Sequence, residues 1–368
     1  MRVLVNGLSA NHPSGRHVLH GHIKQLATWT PEHVFDMLVS PDNDLDESTF
    51  PTNVRYVSVP RSVRRTSSRI IWERSQIPRI IHQQNSDLYF TPTGTILSRC
   101  PVPQVSLAQN PWCMTREVPK TITQQFIGML QRRAYAKAQR SADLMTYNSH
   151  YMRNLYRQNA NADAEHSEVV YQAIGDSAHI AAREQQIQRS PNTILAVSGM
   201  AAWKGADQLV LALKRLRQQG IDAKLRLVGP WPDPSYKRLV LDLISESKLQ
   251  EHVSITGKVP RKQLYEEMAA ARVFALPSRC ESFGIPAVEA QVFGTPVIGS
   301  STTAMAEIGG LGGEYCDPWD LDALVRLLTR HLTDQRHWQL FSDAARENAL
   351  KYRWDVCSRP LLRMFMLV

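Results

Sequence analysis

Two glutamates, Glu281 and Glu289, stand eight positions apart around Phe283-Gly284-Ile285-Pro286, directly after the apolar run Val273-Phe274-Ala275-Leu276-Pro277-Ser278. The order reads as strand, tight loop, helix. Gly284 lets the backbone approach a ligand closely, and Pro286 suits a first helical position, where its missing N–H costs nothing. Glu281 is then left on the loop, and Glu289 lies about one turn into the helix. Backbone donors and the positive end of the helix dipole fall between them, a geometry suited to a phosphate, with a carboxylate on either side to accept hydrogen bonds from hydroxyls. A phosphorylated sugar matches both halves of that chemistry, although two solvated glutamates flanking a buried turn would show the same spacing.

Gly294-Thr295-Pro296-Val297-Ile298 continues the pattern. Strand, serine, glutamate, Phe-Gly-x-Pro, Glu-Ala and Gly-Thr-Pro-Val in this order resemble the paired-glutamate signature of the retaining glycosyltransferases of family 4. The resemblance implies that Glu289 binds the ribose hydroxyls of a nucleotide and that Glu281 faces the donor sugar. The backbone near Phe283, Gly284 and Ile285 would touch the sugar or its phosphate.

Within Ser198-Gly199-Met200-Ala201-Ala202-Trp203-Lys204-Gly205 the chain resembles the family's Gly-Arg-Leu followed by Lys-Gly. A lysine at the carboxyl end of a domain's first strand can neutralise a departing diphosphate, and Lys204 is the residue assigned to that role. Gly199 departs from the family, standing where an arginine usually supplies a second cation. Arg279 is the nearest replacement in sequence, or an arginine merely exposed on its loop. Glu307 also matches a family glutamate, and a carboxylate at a helix start accounts for it equally.

Earlier in the chain, Ser14-Gly15-Arg16 resembles the glycine-containing loop that approaches donor phosphate and acceptor, which makes Gly15 a donor-side candidate. Gln109-Asn110-Pro111-Trp112 follows a strand at the edge where ligands enter such sheets. Many relatives carry a histidine near this point. Asn110 or Gln109 would hydrogen-bond the sugar without acting as a base, or Asn-Pro would simply set a turn.

The elements that must hold these residues alternate. Strand candidates at Val3–Val5, Phe35–Val39, Val54–Val59, Leu88–Phe90, Val102–Leu107, Ala142–Ser149 and Val169–Tyr171 are separated by helical patterns, notably around 68–85 and 118–140. A polar run from Gly175 to Asn192 reads as a linker. A second cycle then opens at Thr193 and recurs at Lys224–Gly229, Val253–Gly257, Val273–Leu276 and Pro296–Gly299, with helices at 206–219 and 262–271 between. Alternation of this kind predicts an α/β protein with two Rossmann-like, doubly wound parallel sheets. The family resemblance implies the GT-B architecture: two such domains facing a cleft, the first on the acceptor side, the second binding nucleotide sugar, and a terminal helix crossing back to the first. The expected divisions are 1–175, 190–345 and 346–368.

At 368 residues the chain exceeds what one core usually supports, and a hydrophobic fraction of 43% supplies ample core. Its 43 Lys and Arg against 34 Asp and Glu give a net charge of +9, which favours acidic partners: nucleotides, sugar diphosphates, anionic lipid or nucleic acid. Arg61-Ser62-Val63-Arg64-Arg65-Thr66-Ser67-Ser68-Arg69-Ile70-Ile71-Trp72 sets positive charge beside apolar groups and could meet anionic lipid or a lipid-diphosphate acceptor, or could be a solvated helix and loop. No recognised motif accompanies the charge to suggest nucleic acid. Cys100, Cys113, Cys280, Cys316 and Cys357 are scattered without a Cys-x-x-Cys pair and read as reduced thiols of a cytoplasmic protein. The apolar run Val3–Val5 is too short for a signal peptide, and no window reaches a membrane span, so any membrane contact is expected to be peripheral.

Among twelve histidines, His12, His17, His20 and His22 cluster, yet without the carboxylate that a metal set needs, and helix-face polarity explains them. Neither a metal nor another cofactor is expected: lysine, helix dipole and backbone donors suffice for a diphosphate. The resemblance thus implies a retaining enzyme that moves a hexose from a nucleoside diphosphate sugar to a hydroxyl of a glycan or lipid-linked acceptor. The alternatives left open are an epimerase or hydrolase of nucleotide sugars on the same architecture, and a non-catalytic binding subunit, which the missing arginine at 199 makes conceivable.

Overall fold

The computed structural model describes residues 1–9, 13–40, 47–184 and 188–368. In chain order the first elements are β1 (Arg2–Asn6), α1 (Pro13–Trp29), β2 (Val34–Val39), β3 (Val54–Ser58), α2 (Thr66–Gln84), β4 (Leu88–Thr91), β5 (Gln104–Ala108), α3 (Ile122–Ser141), β6 (Leu144–Tyr147), α4 (His150–Ala160) and β7 (Ser167–Val169). They continue with α5 (Asp176–Glu184), β8 (Thr193–Val197), α6 (Ala206–Gln218), β9 (Lys224–Val228), α7 (Pro234–Glu246), β10 (Val253–Gly257), α8 (Arg261–Ala270), β11 (Val273–Leu276) and α9 (Ile285–Val292). The last are β12 (Val297–Ser300), α10 (Met305–Gly309), β13 (Gly313–Cys316), α11 (Leu321–Thr333), α12 (Gln335–Ala349), α13 (Trp354–Cys357) and α14 (Arg359–Phe365).

Two compact units result, the first made of residues 1–114, 121–173 and 354–368, the second of 115–120 and 174–353. Among the described residues the first carries a seven-stranded parallel sheet in the order β3-β2-β1-β4-β5-β6-β7. The second carries a six-stranded parallel sheet, β10-β9-β8-β11-β12-β13. Each sheet reverses its strand order beside its first strand, at β1/β4 and at β8/β11, which opens a ligand-receiving crevice at the carboxyl ends of those strands.

Burial on both faces explains why inner strands such as β8 and β11 read as apolar runs. Along β8, Ile194 and Ala196 join one core with Leu225, Leu227, Val273 and Ala275, while Leu195 and Val197 join another with Val228, Phe274 and Leu276. Successive residues point to opposite faces, so a sheet covered by helices on both sides needs apolar residues at every position.

The structure corrects several expectations. The polar run at 175–192 holds α5, whose buried Ala178 and partly buried Ala181 and Ala182 pack on the second core, so polarity on its outer face had masked a short amphipathic helix. Ser14-Gly15-Arg16 is no loop but the first turn of α1. The division expected at 346 falls inside α12, and the tail is three helices, of which α13 and α14 belong to the first unit.

That terminal segment is built into the first unit's interior. Leu361 and Phe365 are fully buried, Phe365 packs on Phe90 of β4 at 5.5 Å, and Trp354 lies between the rings of His17 and His22. A Cβ on Gly21 would come within 2.0 Å of the Trp354 ring, so only glycine lets α1 approach α13 this closely. His22 is buried with its Nδ1 bonded to the Ser358 hydroxyl at 2.9 Å, and burial pushes its imidazole down to about 3, a neutral group at any ordinary pH. His17 bonds the Ala173 carbonyl and His20 the Thr49 hydroxyl. These three histidines of the cluster are therefore structural; His12 lies outside the described residues.

Candidate active site

Two loops meet at the carboxyl edge of the second sheet. After β8 the chain makes a tight 3-10 turn, Ala202–Lys204, closed by Gly205 in the left-handed region at φ +78°. A Cβ there would sit 2.7 Å from the Pro277 carbonyl, so glycine is what allows this loop to lie against the end of β11. The Arg279 N–H donates to the Trp203 carbonyl at 2.8 Å and the Ser278 hydroxyl donates to it at 3.3 Å. This stitching delivers Lys204 to Glu281: Nζ and Oε2 form a hydrogen-bonded ion pair, both side chains mostly shielded from solvent.

Gly284, with φ +94°, starts α9, and a Cβ on it would strike the Met305 sulfur at 2.5 Å. No side chain caps this helix. Its N-terminus, beside Glu281 in the chain, keeps the positive end of its dipole for an anion. Phe283 points into the core and meets the Tyr352 ring at 5.4 Å, which anchors the loop.

Glu289, on α9, is 5% exposed and faces Arg261 at the start of α8, Oε1 to Nη1 at 3.3 Å. Burial pushes its carboxyl up to about 7, against the attraction of Arg261. A carboxylate so desolvated gains most from a new pair of donors, which is what vicinal hydroxyls offer.

Arg279 is directed elsewhere. Its guanidinium is buried over the Trp319 ring, 3.7 Å from the ring centre, with Nη2 3.6 Å from Asp207, so its charge is already matched. Gly199, by contrast, has open space around it, with no heavy atom within 4 Å of a Cβ placed there. The missing arginine is thus a chemical choice and not a packing requirement.

In the first unit the expected polar candidates are occupied locally. The Asn110 side-chain oxygen Oδ1 accepts the Trp112 N–H at 3.0 Å, an Asx turn. Gln109 donates to the Pro92 carbonyl at 2.9 Å and accepts from Gln172 at 3.3 Å. Gly15 lies in helix, and Glu307 in the first turn of α10.

Sequence reasoning missed two clusters. Asn6, at the carboxyl end of β1, donates to Glu73 at 3.1 Å and to the Tyr89 hydroxyl at 2.9 Å and accepts from the Leu8 N–H, and burial raises the Glu73 carboxyl. In the second unit Glu314, His331 and His337 bring their ligand atoms within 4.8 Å of one another, a set that could suggest a metal. Two of its members are engaged in a hydrogen-bond relay. The Arg330 guanidinium donates to His337 Nδ1 at 3.1 Å, which puts the imidazole proton on Nε2, and Nε2 donates to Glu314 at 2.7 Å. Burial works against the Glu314 carboxylate, but hydrogen bonds from His331 and His337 outweigh it and hold its carboxyl below the usual range. The trio ties β13 to α11 and α12. All five cysteines are free thiols, and among the described residues no helix is long and apolar enough to cross a membrane.

Residues 179–348 match the family model for glycosyl transferases group 1. The chain is similar to the O-antigen chain mannosyltransferase B of Escherichia coli, 29% identical over 34% of this chain and 33% of the relative. It is also similar to the MMP alpha-(1->4)-mannosyltransferase of Mycolicibacterium hassiacum, 32% identical over 45% and 41%. A third relative is the GDP-mannose-dependent alpha-(1-6)-phosphatidylinositol monomannoside mannosyltransferase of Mycolicibacterium smegmatis, 30% identical over 44% of each chain. The matched segments thus span a third to less than half of these curated relatives. Solved structures match over the whole chain: sucrose-phosphate synthase from Thermosynechococcus elongatus, with a TM-score of 0.77, 17% identity and 100% and 98% of the two chains covered. HepE of Anabaena, in complex with UDP-glucose, matches with a TM-score of 0.74, 18% identity and all of both chains covered. The paired glutamates and the lysine set against one of them lie within the matched segment: residues 179–348 are similar to the glycosyl transferases group 1, and the chain has the GT-B fold.

Proposed function

We propose that this protein is a retaining glycosyltransferase that moves a hexose from a nucleoside diphosphate sugar, GDP-mannose first among the candidates, to a hydroxyl of a glycan or glycolipid in cell-envelope or exopolysaccharide assembly. The observation that carries the reading is the Lys204–Glu281 pair beside the uncapped start of α9. The donor preference draws on relatives named as mannosyltransferases, one of them GDP-mannose-dependent. UDP-glucose, the ligand of the Anabaena neighbour, is the second donor to try.

In this reading the bond between the anomeric carbon and the diphosphate oxygen breaks first, leaving an oxocarbenium-like sugar. Lys204 and the dipole of α9 take up the charge that grows on the diphosphate. The acceptor hydroxyl attacks from the face the diphosphate leaves, and its proton passes to a phosphate oxygen of the leaving group. Glu281 holds a donor-sugar hydroxyl and, before the donor arrives, keeps Lys204 in place. Glu289 takes the ribose. Metal has no part in this scheme, so a chelator should leave turnover intact. The test is GDP-mannose or UDP-glucose turnover with a glycan acceptor, with the anomeric configuration of the product read by NMR. Retention is expected, as is a loss of about a hundredfold in kcat for Glu281→Gln. An inverted product, or undiminished turnover in that variant, would refute the assignment.

A further inference from the structure

Of the chain's eight tryptophans, all of them among the described residues, Trp319 alone is exposed, at 56%. It stands in the loop Asp317-Pro318-Trp319-Asp320 between β13 and α11. Because β11, β12 and β13 run parallel, this loop lies on the same carboxyl edge as Glu281, which follows β11. Arg279, two residues before Glu281, stacks its guanidinium on one face of the indole, so the exposure belongs to the opposite face and the ring edge.

The indole is fixed in place before any ligand arrives. The Trp319 N–H donates to Asp317 Oδ1 at 2.8 Å, the Asp320 N–H to the Asp317 carbonyl at 3.0 Å, and the Leu321 N–H to the Trp319 carbonyl at 3.1 Å. Leu321 packs on the core, and Asp320 caps α11 by accepting the Ala323 N–H at 2.8 Å. Beneath the ring, Arg279 is held by Asp207 and, through its own N–H, by the Trp203 carbonyl. An aromatic surface held this way loses little freedom when something stacks on it.

Its surroundings select the occupant. Asp317 and Asp320 are exposed on either side of Trp319, and each carboxylate keeps lone pairs beyond the N–H it accepts. Two carboxylates repel a phosphate, and a cation on the open face would oppose Arg279 across the ring. A neutral ring rich in hydroxyls suits both features: its C–H face packs on the indole and its hydroxyls donate to the carboxylates. The nucleotide assigned to Glu289 lies elsewhere. Ala287 and Ala290 place α9 on the face of the second sheet that carries Leu195 and Phe274, whereas Leu324 and Leu328 place α11 on the face that carries Ile194 and Val273.

We propose that Trp319, flanked by Asp317 and Asp320, is a sugar-binding subsite that stacks a neutral pyranose ring of the acceptor glycan. The ring it takes is a neighbour of the reacting sugar, which lies nearer Glu281, so longer acceptors gain and a single sugar does not. The inference rests on the glycosyl-transfer reading in naming that glycan as the acceptor.

The experiment is calorimetric titration of the full chain with a linear manno-oligosaccharide of five residues, and separately with GDP and UDP. Saturable binding of the oligosaccharide is expected. Trp319→Leu should weaken it about tenfold and Trp319→Phe, which keeps an aromatic face, less than about threefold. Nucleotide affinity and melting temperature should be unchanged in both variants. In turnover assays Trp319→Leu should raise KM for the oligosaccharide about tenfold with little change in kcat. No binding of the oligosaccharide, or equal binding by Trp319→Leu, overturns the proposal. A parallel loss of nucleotide affinity overturns it too, by putting a base on the indole. Oligosaccharide binding that depends on Trp319 without turnover of any donor would uphold the subsite and refute the transferase reading, whereas turnover with an unchanged KM in Trp319→Leu would do the opposite.

Discussion

The two sheets share an order, first strand central and the next on one side before the chain crosses to the other, yet the carboxyl ends of their first strands are furnished differently. At β1 the end residue is Asn6, whose amide is used up on Glu73, Tyr89 and the Leu8 N–H. At β8 the corresponding loop carries Lys204 to Glu281 and lies near a helix start that no side chain caps. One edge is closed by its own hydrogen bonds. The other holds a charged pair that can be exchanged for a charged ligand. A common scaffold thus fixes where ligands can bind, and the side chains at the strand ends decide whether the edge is a support or a reaction site.

The sharpest way to break this contrast is to alter both edges alike. Lys204→Ala should lower kcat by two to three orders of magnitude, about 10²–10³-fold, with little change in melting temperature. Asn6→Ala should do the reverse, leaving donor affinity intact and costing about 1–3 kcal/mol of stability by orphaning buried groups. Thermal melts and donor titrations on the two variants give the answer, and equal effects on both readouts would erase the distinction.

A smaller effect concerns Glu289. Its folded carboxyl titrates near 7, above the unfolded value, so in the free protein the protonated form is favoured and stability from this group is lost as pH rises toward 7. Hydroxyl donors favour the carboxylate, so donor affinity should rise with pH up to about 7, with proton release on binding. Calorimetry in buffers of different ionisation enthalpy measures that release. Glu289→Gln should flatten the pH profile and weaken affinity about tenfold.

The smallest effect is a gain. Gly199→Arg enters open space, so the variant should fold unchanged and bind the nucleoside diphosphate severalfold, about three- to tenfold, more tightly. No gain would mean that Arg279, despite its pairing with Asp207, or another group already supplies the second cation.

What could be read in advance follows sequence distance. The inner strands were legible because burial on two faces makes them apolar runs, as at Val273–Leu276. Glu281 through Glu289 was legible because the strand, the left-handed glycine and the helix start are contiguous. The helix at 176–184 was not, since only Ala178, Ala181 and Ala182 mark its inner face. Neither were the partners that give the site its electrostatics: Arg261 lies 28 positions from Glu289, and Asp207 and Trp319 reach Arg279 from opposite directions along the chain. The Glu314, His331 and His337 trio has no spacing that a motif could encode, because a strand and two helices bring it together.

The return of Trp354–Val368 to the first unit has a consequence for biosynthesis. Proteins commonly complete their domains in the order in which they leave the ribosome. Here the seat prepared by Gly21, His17 and His22 stays empty until Trp354 has been translated, after every strand of the second sheet. The earlier-made sheet is therefore the last to close its core, and a nascent chain stalled near residue 350 would offer chaperones the Gly21 groove with its tryptophan still missing.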